Sequence, residues 1–463
     1  MDMLAPSAMF DALDARLDDA LTRLPLAGPP GAVQSVLLAL PRAPAAAAQL
    51  AGRQFVFQHA ERGELHAGYG EAVAWEAAGP ARFKTMAQVL VAGDWRRADP
   101  DDTGLDAFAM LGFAAADEAP SPAACSSLPA ALLWVPEIGL ICRDHEAALV
   151  FSTTLPARRA ELLTRWRGLL RALLPRLYDQ PAGPLPPATL RRERAEPDRA
   201  GWDGLVRAAL AAVDAGPIEK LVVSRRLKVA GPRVFDIGRL LGALGCLFPT
   251  CQTLGLRRNG RSFVAATPER LLSLRDGRLE VDAIAGTAAR AESAEADAAL
   301  RAALLGCDKN RREHRVVIEA IGSALAEHCD DIRAPDAPVV MQLHNAQHLW
   351  SPLAARPRAD VGLFDLAASL HPTPATNGQP RAAAQAWLRR VEPFPRGWYT
   401  GAAGILTPNG DGELWVLLRC AMVSGAEAEL FAGAGIVAGS DPESEWSETE
   451  AKLAAMLSAL QYA

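Results

Sequence analysis

The chain has 463 residues, a formal net charge of −6, 50% hydrophobic and 22% charged residues. That balance reads as an ordinary globular protein with enough chain to bury one large sheet core, and it supplies no basic field to capture nucleic acid. The acidic start "MDMLAPSAMFDALDARLDDALTRL" lacks a basic region followed by an apolar run, and no segment is long and apolar enough to span a bilayer, so a cytoplasmic protein is expected. Seven cysteines, an odd number without a CxxC pair, point to reduced structural thiols and not to a disulfide framework or a zinc site.

In chain order, the first 180 or so residues alternate helical patterns such as "FDALDARLDDALTRL" with short apolar runs such as "AALLWVPEIGLICR" and "AALVFSTTL" that suit strands. The helix "ARRAELLTRWRGLLRALLPRL" closes this part. The prolines and charges of "YDQPAGPLPPATLRRERAEPDRAG" then interrupt the pattern. The expected division is therefore a variable N-terminal half over 1–185, a surface linker over 186–200, and a region over 201–463 that holds nearly every chemistry-bearing motif.

In "PIEKLVVSRRLKV", strand alternation places Ile218, Lys220 and Val222 on one face. Lys220 is then either a sheet-edge lysine reaching solvent or a partly desolvated amine able to act as a base. The strand "SFVAATPERLLSL" breaks at Pro268 and presents Glu269 just beyond, where a dry pocket would raise its pKa and suit it to donate a proton. The helix "CDKNRREHRVVIEAIGSAL" places Glu313 on the face of Val316, Val317, Ala320, Ile321 and Ala324, with Lys309 nearby and His314 off that face. A carboxylate there needs a partner, either Lys309 at i,i+4 or a functional cation.

The run "SDPESEWSETEAK" opens a helix on which Glu445, Glu448 and Lys452 share a narrow arc beside Leu453, Met456 and Leu460, with Glu443 and Glu450 across the stripe. Five acids in such a run are either a dipole-favoured helix start or a cation site. The glycines before it, in "AGAGIVAGS", are spaced GxGxxxG, and acids occupy the helix start where a pyrophosphate would sit, which excludes a dinucleotide site. His344 and His348 have helical spacing but no third ligand, so a zinc site is not expected.

The motifs "IEKLVVSRR", "FVAATPERLL", "AIAGTAAR", "KNRREHRVVIEAI", "QHLWSPL", "LHPTPATNGQP", "RGWYTGAAG", "LWVLLRCA" and "FAGAGIVAGSDPESEWSETEAK", taken in this order over about Pro217 to Leu457, resemble the chorismate-utilising enzymes. These comprise isochorismate synthase, salicylate synthase and the large subunits of anthranilate and aminodeoxychorismate synthases. The resemblance implies an α+β fold, one large domain of two mainly antiparallel sheets flanked by helices, to which the N-terminal half contributes strands. It also implies Mg²⁺ as cofactor, with Glu313 and Glu448 as ligands and Glu445 reaching the metal through water. Arg419 and Tyr399 would grip the enolpyruvyl carboxylate, Lys452 the ring carboxylate, with Gly286, Thr287, Gly433 and Gly435 lining the floor and His348 near the ring. Lys220 stands where ammonia-adding members have glutamine, so the resemblance implies water addition, with Lys220 as base and Glu269 as acid. The implied activity is isochorismate synthesis feeding siderophore, salicylate or menaquinone pathways. The alternatives are a salicylate synthase and a non-catalytic binder of chorismate and Mg²⁺. No glutaminase subunit, nucleic-acid partner or membrane partner is expected, and the chain is expected to be a monomer or a weak homodimer.

Overall fold

The computed structural model describes residues 6–41, 43–44, 54–117, 128–143, 146–178, 185–343 and 346–463. Their strands form two sheets, of thirteen and ten strands, and almost every pairing is antiparallel. Helices cover the outer faces. Pro6–Arg23, Arg159–Tyr178, Ile237–Leu247 and Pro442–Leu460 pack on the larger sheet, while Arg82–Ala92, Asp308–Ala326 and Leu363–Leu370 pack on the smaller. Between the sheets lies a third core containing Phe55, Phe108, Trp134, Phe263 and Trp398. The order is helix, sheet, sheet, helix, an α+β architecture.

Strands of the larger sheet are apolar on both faces because both faces are covered. In Arg261–Thr267, Phe263 and Ala265 enter the core between the sheets, whereas Val264 and Ala266 enter the core beneath the helices. The chain then crosses to the smaller sheet at Thr267, Pro268 and Glu269 and resumes as Arg270–Arg275, so Glu269 stands at a crossover. The expected linker over 186–200 lies at the surface but is not a bare connection. It holds the strand Arg191–Glu196, which pairs antiparallel with Lys220–Ala230 at the sheet edge, and leads into the helix Arg199–Asp214.

Strands from the first half complete both sheets. Gln54–His59 pairs with Gln252–Arg258 in the larger, and Ala109–Phe113 pairs with Ala402–Leu406 in the smaller. No helix among the described residues is long and apolar enough to cross a membrane.

Candidate active site

One cavity opens where Lys220–Ala230 and Glu427–Ile436 of the larger sheet meet Arg278–Ala289 and Ala346–Pro357 of the smaller. Glu269, Gly286, Thr287, Glu313, His348, Tyr399, Arg419, Gly433, Gly435, Glu448 and Lys452 line it. Lys220 and Glu445 are buried and do not line it. His344 falls outside the described residues.

Strand alternation sends Lys220, Val222 and Ser224 to the cavity side and Arg225 to the opposite side, toward the helix Pro442–Leu460. Lys220 is fully buried, and its Nζ lies 2.9 Å from Glu313 Oε1. Gly435, in register with Val222 on the neighbouring strand, makes this pair possible. A Cβ at position 435 would stand 2.3 Å from Glu313 Oε1 and 3.1 Å from Lys220 Cε. The neighbouring Gly433 admits the Tyr399 hydroxyl in the same way, at 2.8 Å from the missing Cβ.

Glu313 therefore takes its partner from the strand and not from its own helix. Lys309, four residues earlier, donates instead to Glu445 Oε1 at 2.6 Å. The buried stripe of Asp308–Ala326 is His314, Val317, Ile321 and Leu325, which corrects the expectation that His314 lies off the apolar face. His314 Nε2 is 3.0 Å from Ser351 Oγ on the smaller sheet, and Glu313 sits at the stripe's border, turned to the cavity.

On Pro442–Leu460, Lys452 Nζ donates to Glu448 Oε1 at 2.6 Å and to the Gly433 carbonyl at 2.8 Å. Burial opposes ionisation of Glu448, but Lys452 and then Lys309 outweigh it and hold its pKa below the ordinary range. Glu445 is shifted upward, by burial first and by Glu448 second. Glu443 and Glu450, across the stripe, are bound by Arg199 and by Arg225 and Arg192.

Glu269 is 4% exposed, with its carboxyl pKa pushed up to about 8 by burial and then by Asp282. At neutral pH it carries its proton. Arg419 has left-handed backbone at φ 47° and donates from Nη2 to His348 Nε2 at 3.2 Å. That bond assigns the imidazole proton to Nδ1, which faces Thr287 Oγ1 at 3.2 Å. Burial, then Arg419 and Lys452, push the His348 pKa down to about 3, so the ring is neutral. Tyr399 stacks on Phe431 at 5.4 Å, and burial raises its pKa. The cavity thus presents cations at Arg419 and Lys452, a protonated carboxyl at Glu269 and a neutral imidazole at His348.

The donor chemistry suits a hard divalent cation, because Glu313 and Glu448 both bring carboxylate oxygens to the cavity wall. The lysines now engage these carboxylates, and among the described residues no three acidic or ligating side chains are already gathered into a metal cage. Sequence reasoning named Val222 only as a face neighbour of Lys220 and did not single out Thr376, Thr400 or Arg396. Their motifs were visible, but Val222 and Thr376 act through backbone carbonyls that residue type does not reveal.

A family model described as a chorismate binding enzyme matches residues 38–461. The isochorismate synthase MenF of Bacillus subtilis is 34% identical over 265 residues, 57% of this chain and 56% of that protein. The salicylate biosynthesis isochorismate synthase of Pseudomonas aeruginosa is 37% identical over 282 residues, 61% of this chain and 58% of that protein. The matched region therefore spans a little over half the length of these curated relatives. Among solved structures, the menaquinone-specific isochorismate synthase MenF of Escherichia coli superposes with a TM-score of 0.78 at 25% identity, covering 98% of this chain and 99% of that one. Anthranilate synthase component I of Streptococcus pneumoniae, at 19% identity and a TM-score of 0.67, shares the fold. With a family match over nearly its whole length and two sheets that meet around this cavity, the chain belongs to the chorismate-binding enzymes.

Proposed function

We propose that the protein is an isochorismate synthase, isomerising chorismate by adding water at C2 of the ring and expelling the C4 hydroxyl as the double bond shifts. The observation that carries this reading is Glu269, a buried cavity-wall carboxyl that keeps its proton to about pH 8 and can hand it to the departing hydroxyl. Lys220 takes a proton from the attacking water, so one proton is accepted and one donated and the net change is an isomerisation. Ammonia would need no such base.

Chorismate carries two carboxylates. Arg419 holds the enolpyruvyl one beside the Tyr399 hydroxyl, and Lys452 faces the one on the ring. His348, neutral and bound to Arg419, orients that guanidinium. Glu313 and Glu448 would hold Mg²⁺, which when bound supplies positive charge for the ring carboxylate, and Glu445 supports the set through Lys309. A protein that only bound chorismate would require neither a protonated acid nor a buried lysine. The close relatives named as isochorismate synthases support the same branch.

The test is product analysis of purified protein with chorismate and Mg²⁺. Isochorismate is expected, with turnover stopped by EDTA. Anthranilate formed on adding ammonium, or salicylate with pyruvate formed without a lyase, overturns the branch.

A further inference from the structure

One guanidinium outside the cavity ties three of its walls together. Arg396 does not line the cavity, and its side chain is 10% exposed. Its Nη2 donates to the Val222 carbonyl at 2.6 Å, and its Nη1 donates to the Thr376 carbonyl at 2.6 Å and the Thr400 hydroxyl at 3.4 Å. Val222, Thr376 and Thr400 all line the cavity, and they come from a strand, a loop and a turn far apart in sequence. The remaining donors, Nε and the second Nη2 hydrogen, go to Glu392 at 2.8 and 2.6 Å. All five N–H groups are thus used, a geometry that a guanidinium offers and an ammonium does not.

The consequence falls on Lys220. Its strand starts at Lys220, where the neighbour on one side shrinks to the two-residue strand Gly378–Gln379. Two residues on, Val222 donates its N–H to the Asn377 carbonyl at 2.9 Å and gives its own carbonyl to Arg396. The segment 371–380 is held to the same guanidinium through Thr376, and the Thr400 hydroxyl passes the constraint to the Tyr399 carbonyl at 2.6 Å. We infer that Arg396 is a positioning residue for the reaction proposed above. It sets the strand end bearing Lys220 against the loop and turn that form the opposite walls, so that base and substrate keep their register. This rests on the proposed function only for its kinetic consequence.

Two variants test it. Arg396→Lys keeps a charge for Glu392 but cannot reach three walls. The double replacement Arg396→Met with Glu392→Met removes both charges together, so no uncompensated ion is left buried if the lysine variant fails to fold. Turnover at saturating chorismate and Mg²⁺ is expected to fall about 10- to 100-fold in either, as a displacement near 1 Å produces. The Mg²⁺ concentration for half-maximal rate should stay unchanged, because Glu313 and Glu448 are not among the tied groups. Amide exchange at Val222 and across 371–380 should accelerate, a local readout that global destabilisation at the same melting temperature does not give. A folded variant with wild-type turnover overturns the inference, and so does lost turnover with unchanged exchange in both segments. If the wild-type protein does not convert chorismate, the proposed function falls, while the exchange comparison still decides whether Arg396 ties the walls.

Discussion

Glu269 has a raised pKa because of where the chain crosses between sheets. Its backbone is fixed by the Val416 N–H donating to its carbonyl at 2.9 Å, and its side chain is left in a cavity where burial, and then Asp282, raise its pKa from 4.5 to about 8. The folded state therefore binds this proton more tightly than the unfolded chain does. The proton's contribution to stability is fully present below about pH 4.5, shrinks steadily as pH rises from there, and is gone once pH passes about 8. Turnover should decline above about pH 8 as the acid form disappears. Glu269→Gln should lose roughly 10²- to 10⁴-fold in rate and, in its residual activity, the alkaline limb as well. A pH–rate profile for both proteins checks this, and an unchanged alkaline limb in the variant would assign it to another group. At Gly435 the constraint is steric: the methyl of Gly435→Ala would enter the contact between Glu313 and Lys220. Turnover should fall on the order of 100-fold with the fold retained, since displacing either side chain disturbs the placement of both. Wild-type kinetics in Gly435→Ala would show that the pair moves freely.

At the scale of elements, the helix Pro442–Leu460 works with two faces. One brings Glu448 and Lys452 to the cavity, and the other is fastened to the strand that carries Lys220. The fastening is Arg225, fully buried, whose Nε donates to Thr449 Oγ1 at 2.7 Å while its guanidinium stacks on Trp446 at 3.8 Å and pairs with Glu450. Thr449→Val keeps the shape of the side chain and leaves a buried charged donor without its acceptor. A loss of about 1–3 kcal/mol is expected from denaturant unfolding. A loss within experimental error would mean that Glu450 and Trp446 satisfy Arg225 without the hydroxyl. The arc of Glu445, Glu448 and Lys452 was legible from helical spacing, as was Glu313 as a carboxylate needing a partner. The partner itself was not legible, because helical periodicity compares residues of one helix whereas Lys220 arrives from a strand. His314 was misplaced for a related reason: a histidine counts as polar in a pattern, yet here it finds Ser351 beneath the helix and joins the buried stripe.

For the whole molecule, strands with both faces covered read as continuous apolar runs, which reveal a buried sheet but not its partners or register. The motifs after residue 200 carried the family likeness, and the expected two-sheet α+β architecture is the one the fold shows. The resemblance implied that the first half contributes strands, but which strands pair with which was hidden, because backbone hydrogen bonds between strands leave no residue-type signature. That pairing has a consequence for any attempt to isolate the catalytic motifs. Removing residues 1–200 would strip Gln54–His59 from Gln252–Arg258 and Ala109–Phe113 from Ala402–Leu406, opening an edge in each sheet. It would also remove Phe55, Phe108 and Trp134 from the core between the sheets, where Phe55 and Trp134 meet edge to face at 5.3 Å. Exposed edges beside uncovered aromatic surface favour aggregation over folding. A fragment of residues 201–463 should therefore be insoluble or lack a cooperative thermal transition, although it contains every residue assigned to the cavity. Co-expression with residues 1–200 should restore solubility by supplying the missing strands. A monomeric fragment that melts cooperatively, with amide protection at Leu254 equal to that of the full chain, would show instead that the second half folds alone and that the first half is a removable cover.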